Sequence, residues 1–322
     1  MSVRMAPILV AALALLTACG PRKTAPAPVT RDFPRAEVPK LITEPYERAV
    51  WVCEHYWDAF TAPDSFYYSD SLTVNGVPLE ELEKQVGTYA TLLQQVPLED
   101  GVRAMTAFCN RLDAFQSAHP DANLFPQTVA LVSRYFYDPN SPVRSEDLYL
   151  PFVRRLAASD HIDPALRGAY AWDSEMCAIN RTGTPAADFT FIDTAGRLRS
   201  LYSLKAEWTL LIFGNPDCHA CTELQEQMDD SPVIPALIAE GRLQVVDIYI
   251  DEDIDLWKSR RDSYPAAWLN GYDPTFSIRG DRLYAVRALP SLYLLDKDKT
   301  VVLKDALPDQ VLGYLTLASD SL

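Results

Sequence analysis

Two cysteines separated by two residues, Cys218-His219-Ala220-Cys221, are the part of this chain best suited to chemistry. Thiol-disulfide exchange needs one thiolate that attacks and a second thiol close enough to release the mixed disulfide it forms. The surrounding residues predict where the pair sits. Thr209 to Phe213 has the pattern of a buried strand, Gly214-Asn215-Pro216-Asp217 breaks it, and Leu224 and Met228 follow at helical spacing. At the start of a helix, free backbone N–H groups and the helix dipole stabilise an anion, lowering a thiol pKa from about 8.5 to roughly 3.5 to 7.5. Cys218 is then the nucleophile and Cys221, one helical turn further in, the resolving thiol. His219, when protonated, would favour the Cys218 thiolate and lie beside a bound substrate, whereas Asp217 would oppose it. The bland alternatives are an inert structural disulfide or half of a zinc site. Zinc would need two more ligands. The four histidines are scattered at 55, 119, 161 and 219, so no metal site, hydrolase triad or cofactor is expected.

The elements that must position the pair differ between the two halves of the chain. From Glu44 to Asn180 apolar residues recur at helical spacing: Ala49, Cys53, Trp57 and Phe60, then Leu79, Leu82, Val86, Tyr89 and Leu93, then Val102, Met105, Cys109, Leu112 and Phe115. Val129 to Tyr135 and Leu148 to Leu156 predict further helices. After Asn180 come short β-rich runs at 189–192, 209–213, 243–250, 291–295 and 300–303, with helical stretches between them. That alternation predicts an α/β domain, a mixed sheet flanked by helices, preceded by an all-α domain. Within the aromatic set Trp51, Tyr56, Trp57, Phe66, Tyr67 and Tyr68, core packing is the expectation over a binding groove. Cys53 and Cys109 are expected to pack as small hydrophobes, with a bridge among Cys53, Cys109 and Cys177 as the alternative. Asp247 with Asp251, Asp253 and Asp255 reads as the solvated start of a helix, since it lacks the loop spacing of a calcium site.

The ordered set Pro185-Ala-Ala-Asp188-Phe189, Gly196, Cys218-His-Ala-Cys221, Trp268 and Ala288-Leu289-Pro290-Ser291-Leu292 before Asp296 resembles the thioredoxin superfamily, in its exported TlpA-like branch of thiol-disulfide oxidoreductases. The resemblance covers roughly Gly183 to Leu315. It implies that Pro290 is a cis-proline facing the cysteine pair and that the backbone of Leu289 aligns an extended substrate. The chain departs from the family by carrying Asp217 before the first cysteine and Ala220 before the second. Ile212 stands about where thioredoxin carries its proton-transferring carboxylate, so the resemblance names no general base. The helical half resembles the N-terminal domain of unknown function that accompanies such domains in Bacteroidetes lipoproteins.

The first residues address the compartment. Arg4, the apolar run Ala6 to Leu16 and then Thr17-Ala18-Cys19-Gly20 have the outline of a signal peptide. Eleven residues span about 16 Å as a helix, too short for a bilayer core of roughly 30 Å. Leu16-Thr17-Ala18-Cys19 resembles the lipobox of bacterial lipoproteins, which implies lipidation of Cys19 and, with no aspartate after it, the outer membrane. The expected organisation is a signal peptide over 1–18, a proline-rich tether over 19–40, a helical domain over 41–180 and a thioredoxin-like domain over 181–322. A formal charge of −15 argues against nucleic acid as a partner. The expected partners are thiols or disulfides of exported proteins, an electron-donor protein, and the membrane through the lipid. The competing expectation is a lipid-anchored binding protein that uses the thioredoxin-like domain as a scaffold.

Overall fold

The computed structural model describes residues 30–320. The proposed signal segment and Cys19 lie outside the described residues. In the first half, α1 (Pro45–His55) leads to the strands β1 (Thr73–Val74) and β2 (Val77–Pro78). Then follow α2 (Leu79–Leu93), α3 (Leu98–Ala118), α4 (Leu124–Phe136), α5 (Glu146–Ala158) and α6 (Pro164–Ala178). Their apolar faces close on one core that includes Trp57, Tyr89, Phe108, Phe115, Leu131 and Phe152. Trp57 and Phe108 stack with ring centroids 4.6 Å apart.

Four local expectations are corrected here. The first helix ends at His55, and Trp57 and Phe60 reach the core from the turns beyond it, because burial rewards an apolar side chain whatever its backbone. The Asn75-Gly76 pair, with φ of 47° and 78°, closes a tight hairpin between β1 and β2 that the helical reading had passed over. Within the described part of the expected tether, residues 30–40, the chain does not stand clear of the helical domain. From Thr30 onward the chain packs on the helical domain, with Phe33 buried against Trp57 and Phe60 and the Arg31 guanidinium 4.1 Å from the Tyr67 ring. Of the aromatic set, Trp57 is core but Phe66 and Tyr68 are exposed.

The second half runs β3 (Thr190–Asp193), β4 (Leu198–Ser200), β5 (Trp208–Gly214), α7 (His219–Asp229), α8 (Val233–Ala239), β6 (Leu243–Tyr249) and α9 (Ile254–Arg260). It continues through β7 (Leu269–Tyr272), α10 (Ser277–Gly280), β8 (Ser291–Leu295), β9 (Val301–Leu303) and α11 (Pro308–Asp320). One sheet holds them in the order β4-β3-β7-β6-β5-β8-β9, with β5, β6 and β7 parallel and the outer pairs antiparallel. The strand period of two divides β5 between the faces. Leu210 and Ile212 pack with α7, α8 and α11, while Leu211 and Phe213 pack with Ile278, Tyr284 and Tyr293. Strands β4 and β7 escaped the sequence reading, since they are three and four residues long and β7 contains Gly271. There, a Cβ would meet the Ile192 carbonyl oxygen at 2.7 Å.

Candidate active site

Strand β5 ends at Gly214, and the turn that follows is built by Asn215. Its side-chain oxygen accepts the Asp217 N–H at 2.9 Å, its carbonyl accepts the Cys218 N–H at 3.0 Å, and its amide donates to Asp251 at 2.7 Å. This places Cys218 as the N-cap of α7, where its sulfur accepts the Cys221 N–H at 3.3 Å. A backbone N–H of the first helical turn is thus directed at the sulfur, the donor arrangement found at helix starts generally. The Cys218 sulfur also lies 3.7 Å from the Leu289 carbonyl oxygen. The Leu289–Pro290 bond is cis, and the loop ahead of β8 that carries it reaches Cys218 through the Leu289 carbonyl. Cys218 is partly exposed and Cys221 buried, and both are free thiols. Burial, then the neighbouring Cys218 sulfur, push the Cys221 thiol well above its ordinary range, and the field of Asp247 adds to this.

His219 stands at the first position of α7. It is exposed and its Nε2 lies 3.2 Å from Glu223 one turn along α7, so the charge nearest to it is a carboxylate. Asp217 is exposed and 3.9 Å from Arg260. Cys53, Cys109 and Cys177 are buried free thiols, each pushed up by burial.

The residue missed by the sequence reading is Asp247. It stands inside β6, fully buried, rather than at a solvated helix start. The parallel register sets it beside Ile212 of β5, on the face of the sheet that α7 covers. One carboxylate oxygen accepts from Gln225 Nε2 at 3.0 Å, and Gln225 lies one helical turn after Cys221 on the same side of α7. The other oxygen has no hydrogen-bond partner among the described residues. Gly214 makes room for it, because a Cβ there would lie 3.0 Å from that oxygen. Burial raises the Asp247 carboxyl to about 7, against the opposing pull of Gln225. A carboxyl that can both take and release a proton near neutral pH is suited to acid–base work. The signal available in the sequence was a lone acid in a largely apolar strand, Leu243-Gln-Val-Val-Asp-Ile-Tyr249.

A mixed sheet, a cysteine pair opening a helix and a cis-proline loop facing it define a thioredoxin-like protein. Residues 17–179 match the family described as a domain of unknown function (DUF5106), and the chain belongs to that family. A crystal structure of a thioredoxin-like protein from Bacteroides caccae is 34% identical, with a TM-score of 0.76 over 90% of this chain and 99% of that one. The C-terminal domain of an uncharacterized protein from Bacteroides fragilis is 47% identical over 42% of this chain and 98% of its own, with a TM-score of 0.42. A domain of a possible thiol-disulfide isomerase from Cytophaga hutchinsonii is 27% identical over 45% of this chain and 97% of its own, with a TM-score of 0.37. No curated protein matches the chain.

Proposed function

We propose that this chain is a thiol-disulfide oxidoreductase of the cell envelope that reduces disulfides of exported proteins. The observation that carries the reading is the placement of the Cys218 sulfur, partly exposed at the start of α7 and facing the Leu289 carbonyl of the cis-proline loop. In the reductive direction the Cys218 thiolate attacks one sulfur of a substrate disulfide. That S–S bond breaks, the second substrate sulfur leaves as a thiolate and takes up a proton, and a mixed disulfide remains on Cys218. Cys221 then loses its proton to the unpartnered oxygen of Asp247 and attacks Cys218. The Cys218–substrate bond breaks, the substrate sulfur first attacked leaves as a thiolate and is protonated, and the Cys218–Cys221 disulfide carries the two electrons' worth of oxidation. An electron-donor protein restores the dithiol by the reverse exchange. The loop at Leu289 would pair its backbone with the extended segment that carries the substrate disulfide. A lipid on Cys19 would hold the protein at the periplasmic face of the outer membrane.

The test is a pair of variants and a potential. Cys218→Ser should abolish exchange, while Cys221→Ser should complete the first attack and accumulate a covalent mixed disulfide visible by mass. Equilibration in glutathione buffers should give a potential between about −120 and −270 mV, the span of known exchange proteins. A potential well below about −300 mV, where structural disulfides lie, would remove the enzyme reading and favour a binding scaffold.

A further inference from the structure

The loop that faces Cys218 is tied down on both flanks by charges that reach into the helical domain. On one side Arg287, two residues before Leu289, is largely buried. Its Nε donates to Glu146 at 2.7 Å, one terminal nitrogen donates to the Tyr137 carbonyl, and the other donates to Asp305 at 3.1 Å. The same guanidinium lies over the Tyr137 ring, 4.1 Å from its centroid. On the other side Ser291, directly after Pro290, donates its hydroxyl to Asp305 at 3.1 Å, and Asp305 also accepts from Arg144 at 3.3 Å. Glu146 is itself only 1% exposed and pairs with the equally buried Lys304 at 2.8 Å. The Lys304 ammonium is completed by the carbonyls of Cys177 and Ile179, at 2.8 and 2.6 Å.

Tyr137, Arg144 and Glu146 belong to the helical domain, whereas Arg287, Ser291, Lys304 and Asp305 belong to the thioredoxin-like domain. A buried ion pair contributes little net stability, because desolvating the charges offsets their attraction. It does restrict geometry. Withdrawing one partner strands an uncompensated charge, and a guanidinium bonds only along its fixed directions. Residues 287 and 291 bracket Leu289 and Pro290, so anchoring both ends limits where the Leu289 carbonyl can lie.

We propose that Arg287 is a positioning residue through which the helical domain holds the Leu289–Pro290 loop against Cys218. The helical domain is then part of the working site rather than a passive companion. The catalytic consequence rests on the exchange reading above; the clamp on the loop does not.

The experiment compares full-length wild type with Arg287→Gln, Arg287→Lys, Ser291→Ala and a control, Arg181→Gln. Arg181 pairs with Asp147 at 3.8 Å between the same two domains and makes no bond to the loop. Hydrogen exchange at the β8 amides of Ser291 and Leu292 reads the clamp directly, independent of activity. Arg287→Gln should speed their exchange by about tenfold or more, which corresponds to about 1.4 kcal/mol of local opening. Ser291→Ala should speed it several-fold, Arg287→Lys should fall between wild type and Arg287→Gln, and α3 amides should be unchanged. The rate with a disulfide-bonded peptide should drop about tenfold in Arg287→Gln. Alkylation of Cys218 by iodoacetamide, which needs no loop, should stay within about twofold of wild type.

Equal β8 protection in Arg287→Gln and Arg181→Gln would overturn the proposal. So would a loss of protection spread evenly over α3, which is what a merely structural role produces. If Arg287→Gln does not fold, Ser291→Ala decides: unchanged β8 protection rejects the clamp. A wild type that alkylates but never exchanges with the peptide defeats the proposed function, while the amide result still settles the clamp.

Discussion

Replacing Asp247 by asparagine keeps the shape of the side chain and the oxygen that accepts from Gln225 but removes a titration. Burial holds this carboxyl at about 7 against an ordinary 3.8, a gap of roughly three pH units, or about 4 kcal/mol at 1.36 kcal/mol per unit. Between about pH 4 and pH 7 the folded chain keeps a proton that the unfolded chain has released. Stability from this group is therefore present at low pH, declines as pH rises through that window and is flat above it. Asparagine does not titrate. Asp247→Asn and wild type should unfold at similar urea concentrations near pH 4, and at pH 8 the variant should be the more stable by up to about 4 kcal/mol. The same substitution removes the acceptor for the Cys221 proton. Release of the mixed disulfide at pH 7 should slow about a hundredfold, within the usual span for a positioned base, while the first attack by Cys218 is little changed. Urea unfolding of the reduced protein at pH 4, 6 and 8, with stopped-flow release of a labelled thiol, measures both. A stability difference that does not change with pH would refute the buried, proton-holding carboxyl. Unchanged release kinetics would show that the proton leaves by another route.

Gly214→Ala places a methyl group 3.0 Å from the free oxygen of Asp247. It should slow release in the same way, with Cys218 alkylation unaffected, as stopped-flow and alkylation rates would show. Asp193 is buried in β3, where hydrogen bonds from Arg199 and from the backbone and side chain of Arg197 outweigh burial and hold it at about 2. Its stabilisation is present above the ordinary carboxylate range and is lost as pH falls toward 2. Asp193→Asn should accordingly destabilise by about 2 kcal/mol at pH 7, the scale of charged hydrogen bonds, in urea titrations, with the gap narrowing at low pH. Gly271→Ala sets a Cβ 2.7 Å from a backbone oxygen of the neighbouring strand. It should reduce stability by about 1 to 3 kcal/mol by thermal unfolding, since that oxygen cannot move without breaking the sheet.

Much of the site was legible because its parts are local. A strand pattern, a turn and a helix pattern around Cys218 and Cys221 give a cysteine pair at a helix start, and both α7 and its N-cap lie where that spacing required. The core strands β5, β6 and β8 announced themselves as apolar runs, and α2 to α5 as helical stripes, because periodicity records which side of a segment is buried. It records nothing about what lies on the other side.

That second kind of information came only from the tertiary structure. Asp247 is twenty-six positions after Cys221 and reads in sequence like its solvated neighbours at 251 to 255. Parallel pairing is what sets it beside Ile212, under α7, where the proposed release step would use it as the proton acceptor. Arg287 gives no local signal of its partners either: Glu146 and the Tyr137 carbonyl are about 140 and 150 residues away. The chain by itself determined which thiols could react and on what kind of element they stand. Which carboxylate answers them, and which domain holds the loop against them, was decided by strand register and domain contact, where charge and distance act across space rather than along the chain.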